Sequence, residues 1–410
     1  MKRSGQADLP LHYGKVPSWL YTRMSAMGSA ILEAIIEEYG SSEVLSRLSD
    51  PFWFQSLGSV LGMDWHSSGI TTSVLGALKS GTKDKAQQLG LYFCGGRGKH
   101  SLKTPDELTQ LSEKTGLNGN SLVRSSKLTA KIDNTAIQDG YQLYLHSFVV
   151  NNKGEWAVIQ QGMNPHNRYA RRYHWHSATV KSFVDEPHAA VVGDNLGEIL
   201  NLTHHEAGIT RQGVLNLTHE KPEKIIDETR YMTMPGNHDV QEKDLDLKRL
   251  GAALAIAYEG NLQDFESLLL VKGLGPKTLR SLVHVSEIIH GTPSRFSDPA
   301  RFSFAHGGKD GHPFPVQTKV FDQSIDVLKR SLEKARMDHS DRNRGLKKLH
   351  EFQQEIEKQF MPNNAFYDYI DKERRESAQV GGRTVFDKKS TKKVTKNPPD
   401  NGPIQLRFFD

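Results

Sequence analysis

The chain has 410 residues, enough for two or three domains, with a formal net charge of +5 and one cysteine, Cys94. A single cysteine excludes an intramolecular disulfide and a cysteine-built zinc site, and it fits a reducing, cytoplasmic compartment. No run of roughly 18 apolar residues occurs, so no membrane partner is expected, and Ser-Gly-Gln-Ala-Asp after Met1-Lys2-Arg3 lacks the apolar core of a signal peptide. The excess of positive charge is too small to identify a partner by itself; its clustering carries more information.

Residues 18–80 read as short helices. In SAILEAIIEEYG, Ile31, Ala34, Ile35 and Tyr39 fall near one face and Gly40 is a stop. A glycine-rich turn is expected at CGGRGKHSLKTPDEL, leading into a helix after Thr104-Pro105. The period then changes. YQLYLHSFVV and EWAVIQQ read as strands joined at NNKG, a hairpin signal. Residues 187–230 are mixed, and LNLTH occurs twice, too few copies for a repeat architecture. From about 243 the chain reads helical, and after about 372 apolar periodicity disappears into a basic, proline-containing tail. The fold class expected is α+β. It comprises a helical region over 1–120, a central domain with a β-hairpin over 121–235, a helical domain over 236–370 and a disordered tail over 371–410.

Two stretches of the central region offer chemistry. Asp139 precedes the expected hairpin and Glu155 opens its second strand, an arrangement that nucleases use to hold Mg2+ or Mn2+ against a scissile phosphate. The restriction-type pattern continues Glu-x-Lys. Here Trp156-Ala157 follows, so Lys131 or Gln161 would have to substitute. In YARRYHWHS, His174 and His176 alternate around Trp175 and are expected to share one face of a strand, the spacing of a metal-binding pair. Arg168, Arg171 and Arg172 beside them equally suit phosphate binding. The adjacent Asp64, His66 and Ser67 give no triad geometry. CGGRGKHS lacks the first glycine and the hydroxyl residue of a P-loop, leaving only backbone phosphate binding by Gly95, Gly96 and Lys99 open. AHGGKDGHPFP, 305–315, is a possible second DNA-facing loop.

The most specific signal is LLLVKGLGPKTLRSLVHV, 268–285. Gly273 and Gly275 permit a tight turn, and Pro276 suits the first turn of the helix that follows. The outward amides of that helix start form an anion site flanked by Lys272 and Lys277. The stretch resembles the helix-hairpin-helix motif of DNA repair and replication proteins. The resemblance implies that Gly273, Gly275, Lys277 and Thr278 contact the phosphodiester backbone without reading sequence. More widely, LHYGKVPSWL, FQSLGSVLGMDWHSSG, CGGRGKHSLKTP, WAVIQQGMN, ARRYHWHS and FSFAHGGKDGHPFPV resemble the bacterial and archaeal family known as domain of unknown function seven-six-three. That resemblance brings no catalytic residues with it.

Three functional classes follow. One is a metal-dependent nuclease of DNA repair or processing, delivered to duplex, branched or single-stranded DNA by the hairpin motif. Another is a non-catalytic DNA-binding adaptor. The third is a glycosylase-lyase that uses Lys277 as nucleophile, with Asp298 twenty-one residues beyond it. Finally, Gln405, Leu406, Phe408 and Phe409 resemble the short peptide that bacterial proteins insert into the replication sliding clamp, a possible second partner.

Overall fold

A computed structural model describes residues 16–63, 68–164, 169–230, 247–292, 294, 297–300 and 318–359. The described residues from 16 to 350 belong to one compact unit, and a second unit begins at Glu351. The first helices are α1 (Ser18–Tyr39), α2 (Ser41–Ser49), α3 (Pro51–Val60), α4 (Gly69–Thr82) and the single turn α5 (Ala86–Leu89). Gly40, at φ +87, ends α1 as expected. Asp50 caps α3 by accepting from the amides of Phe52 and Trp53, and Pro51 occupies its first turn.

Strand β1 (Leu91–Arg97) follows, then α6 (Thr104–Thr115) and α7 (Gly119–Lys131). Here the structure departs from expectation. Cys94, Gly95 and Gly96 lie in an edge strand, not in a turn, and Cys94 pairs with Phe148. Gly95 is needed because the helix and strand beside it leave no room for a side chain: a Cβ there would stand 2.3 Å from the His146 carbonyl oxygen. A π-turn, Ile132–Ala136, leads to β2 (Ile137–Gln138) and then to β3 (Gln142–Asn151), β4 (Trp156–Asn164) and β5 (Tyr169–His176). The expected hairpin is present. Asn151 Oδ1 accepts from the amides of Lys153 and Glu155 and closes the turn, and Gly154 sits at φ +81. Strands β6 (Ala190–Val192) and β7 (Leu200–Asn201) complete the set. The main sheet is antiparallel, in the order β1-β3-β4-β5-β6, and β2 pairs with β7 in a separate ribbon.

The remaining helices are α8 (Gly208–Thr218), α9 (Pro222–Arg230), α10 (Leu247–Glu259), α11 (Phe265–Leu269), α12 (Pro276–His290), α13 (Thr318–Lys334) and α14 (His339–Gln359). The α+β class is therefore observed, with an antiparallel sheet in the middle of the chain. Helices α2 and α4 lie against one face. The other face shares a single apolar core with the later helices: Phe148, Val158 and Trp175 belong to the same buried cluster as Leu274, Leu279, Leu282 and Val283. Each fully buried side chain of this size contributes roughly 1.5–3 kcal/mol. The buried cluster thus includes residues on both sides of 120, and the expected boundary near 235 lies outside the described residues. No described helix is long and apolar enough to cross a membrane.

Candidate functional site

The connection between α11 and α12 forms from strong local signals. Asp264 caps α11 through the Ser267 amide. Gly273 adopts φ +84, and α12 starts at Pro276 with no side-chain cap. Its first amides have no helical carbonyl partner. Lys272, Gly273, Pro276 and Lys277 are exposed, Gly275 is half-buried and Thr278 is buried. A Cβ at Gly273 or Gly275 would meet no atom within 4 Å, so the turn opens outward. Leu274 points the other way, into the core.

The turn is held from behind. Lys131 Nζ donates to the Leu274 carbonyl at 2.7 Å. Gln138 Nε2 donates to the Pro276 carbonyl at 2.9 Å, and Arg280 Nε donates to Gln138 Oε1 at 2.5 Å. Lys131 is thereby a support of the turn.

The central candidates are distributed quite differently from the expectation. Asp139 is fully buried, accepting from Arg171 Nη1 at 2.9 Å and from the Tyr173 hydroxyl at 2.6 Å. Arg171 also pairs with Asp298, 2.7 Å from Nη2 to Oδ2, and stacks 4.7 Å over Tyr141. Burial opposes its charge, but Asp139, Tyr173 and Asp298 hold the guanidinium above its ordinary range. Neither Arg171 nor Asp139 reaches a surface ligand, and Asp298 is committed to Arg171, not to Lys277. Glu155 stands at the far end of the hairpin, 2.5 Å from Ser42 Oγ and 2.6 Å from Asn151 Nδ2, and these hydrogen bonds lower its pKa. The ten residues of β3 separate it from Asp139, roughly 30 Å. One metal ion cannot join these two acids, so the expected two-carboxylate centre is not formed.

On the opposite face of the sheet, Arg172 is fully buried with neutral partners. It donates to His174 Nε2, Thr71 Oγ1 and Gln55 Oε1, and lies 4.8 Å over Phe54. Burial pulls its pKa down to about 9. His174 Nδ1 is 3.0 Å from the Leu48 carbonyl, so both of its nitrogens are engaged. His176 shares that face and is only half-buried, but it has lost the expected companion ligand. Gln161 Nε2 donates to Ser68 O and Tyr144 Oη, while its Oε1 has no partner among the described residues. The Gly95 amide is taken by Glu107 Oε2 at 2.9 Å, which removes it from phosphate binding. Arg168, Asp64, His66, Ser67, the 305–315 loop and Gln405, Leu406, Phe408 and Phe409 lie outside the described residues.

Two groupings are assembled only by the fold, although Asp133, His146 and Gln160 lie within the polar stretch 127–176. The first is a buried relay. Ser126 Oγ is 2.9 Å from His146 Nε2, and His146 Nδ1 donates to Gln160 Oε1 at 2.7 Å. Gln160 Nε2 donates to Asp133 Oδ2 at 2.5 Å, and Asp133 also accepts from Trp175 and His188. Asp133 sits on the π-turn, a distortion that aims its carboxylate inward. Pairing of His146 with Gln160 across β3 and β4 was implicit in the hairpin, but the Ser126 and His188 ends come from distant segments. The second is Glu186 with His204 and His205, of which the sequence shows only the two adjacent histidines at the end of one LNLTH copy.

The relay sets a pH dependence. Burial pushes His146 down to about 4, and His174 is lowered well below its usual value by burial and then by Arg172. The unfolded chain takes up these protons near 6.5, the folded one only at lower pH. The stability contributed by these two neutral imidazoles is therefore complete above about pH 6.5 and declines as pH falls towards 4, by roughly 3 kcal/mol for His146 alone. Urea midpoints measured between pH 7 and 4.5 should fall steadily, and His146→Asn should flatten part of that slope. An unchanged midpoint across the range would contradict the buried neutral imidazoles.

No curated protein and no solved structure matches the chain. One family, described as protein of unknown function (DUF763), matches residues 5–316, more than half of the chain. The sheet, the buried relay and the α11–α12 turn all fall within that span, and the chain belongs to the DUF763 family.

Proposed function

We propose that this chain is a DNA-binding protein that grips the phosphodiester backbone at the α11–α12 turn. The observation that carries the reading is the outward-facing, uncapped start of α12, with Lys272 and Lys277 exposed on either side of Gly273 and Gly275. Amides at a helix start and two ammonium groups match the charge and hydrogen-bonding needs of a phosphate. Such contacts position a duplex without reading its bases. A place in DNA repair or processing is part of the same proposal, and the non-catalytic adaptor is the form that these residues support best. Cleavage by Asp139 and Glu155 with Mg2+ or Mn2+ is not supported, because those acids do not converge. The lyase alternative loses its aspartate to Arg171. The clamp-like peptide at Gln405–Phe409 supports a second proposal, a sliding-clamp partner, which a binding assay with a peptide of residues 400–410 tests independently.

The deciding experiment is Lys272→Ala with Lys277→Ala in the full chain. The double variant should bind unrelated duplex sequences more weakly to a similar degree, and its log affinity against log salt should lose about two units of slope. Wild-type affinity in the double variant, on both duplex and branched substrates, would refute the reading.

A further inference from the structure

The Glu186, His204 and His205 side chains present one ligand atom each within 4.8 Å of one another. We propose that they form a binding site for a transition-metal dication of the zinc class, separate from the phosphate-binding turn and independent of that reading.

The three residues come from two segments that the fold ties together. The Glu186 amide donates to the Thr203 carbonyl at 2.8 Å, which sets Glu186 directly beside the two histidines. His205 Nδ1 is 3.3 Å from Glu186 Oε1, and the two imidazole rings lie 4.3 Å apart, tilted by 31°. The backbone beneath is fixed. Asn201, paired in β7, accepts from both the amide and the hydroxyl of Thr203, and Arg211 Nη1 donates to the carbonyls of Leu202 and His204. Arg211 also stands 3.8 Å from Asp185, the neighbour of Glu186, so its charge is partly met by an acid other than the ligand. Glu186 itself holds φ +42 although a proline follows it. A non-glycine residue before proline belongs in the extended region, so the packing around Glu186 keeps it in a costly conformation.

The donor set selects the metal. Two imidazoles and one carboxylate are borderline ligands that suit Zn2+, Co2+ or Ni2+. Mg2+ and Ca2+ prefer sets made wholly of oxygen. Metal–ligand bonds near 2.0–2.2 Å require the side chains to draw in, and Glu186 and His205 are exposed, with solvent rather than core around them. Ligation through His204 Nε2 requires Nδ1 to carry its proton. The Glu206 carboxylate, 3.9 Å from Nδ1, can accept it in exchange for the 3.2 Å contact with the Glu206 amide. Three protein ligands leave a fourth position for water or an anionic oxygen.

The test uses the full chain prepared without a histidine tag and stripped by chelator. Equilibrium dialysis against Zn2+, and titration with Co2+ followed by its visible absorption, should give one equivalent per chain and a tetrahedral or five-coordinate spectrum. Mg2+ should not compete. His204→Ala with His205→Ala should lower affinity by about 100-fold or more, and Glu186→Gln by at least about tenfold. These side chains are exposed or half-exposed, so a thermal melt matching wild type will confirm folding. Two results would overturn the proposal: no bound equivalent in the wild type, or a folded double-histidine variant that keeps wild-type affinity.

Discussion

Arg171→Ala should lower stability by about 3–5 kcal/mol, because it strands two carboxylates in the interior. Asp139 and Asp298 each lose the guanidinium that pairs with them among the described residues, and both side chains are fully buried. The pair is also a long-range clasp: Arg171 and Asp298 are 127 residues apart in sequence. Asp298 further accepts from the amides of Leu196 and Ala300, so losing the guanidinium loosens three segments at once. Asp298→Asn keeps the shape and removes one charge, and should cost less than Arg171→Ala. Urea denaturation with an unchanged m-value reads the difference. A loss under about 1 kcal/mol for Arg171→Ala would mean that the 297–300 segment does not dock as described.

Gly95→Ala should be nearly as damaging, for an unrelated reason. Gly95 holds φ +82, which an L side chain resists, and its added Cβ would stand 2.3 Å from the His146 carbonyl oxygen and 2.4 Å from Thr104 Oγ1. Backbone cannot yield as a flexible side chain can, so β1 must separate from β3. Strain and overpacking together come to roughly 3 kcal/mol or more. The effect should appear as a lower melting temperature with faster amide exchange along Leu91–Arg97. Gly273→Ala makes a useful comparison: it carries the same positive φ but meets no atom within 4 Å, so only the strain should remain.

These two residues also illustrate what could be read without coordinates. The hairpin at Asn151–Glu155 and the turn at Gly273–Pro276 depend on neighbours in sequence, and both were legible from their turn residues. Arg171 and Arg172 were not. Adjacent arginines beside aromatic residues look like a basic surface, but strand alternation sends one to each face of a sheet covered on both sides. Their partners, Asp298 and Gln55, lie 127 and 117 residues away, and no local pattern announces them. Asp139 and Glu155 look like a pair because they are close in sequence. The strand between them, extended at about 3.4 Å per residue, is what holds them apart. Gly95 and Gly96 suggest a phosphate cradle, although at Gly95 close approach of another backbone demands the same residue.

The support behind the α11–α12 turn has a thermodynamic consequence. Lys131 and Gln138 hold the carbonyls on either side of Gly275, so the turn already has its shape before any ligand arrives. Little chain freedom is left to be frozen on association. On the proposed function, the work of adaptation then falls on the DNA. Duplexes carrying the same charge would be ranked by their compliance, with a pliable pyrimidine–purine step favoured over a stiff A-tract although no base edge is touched.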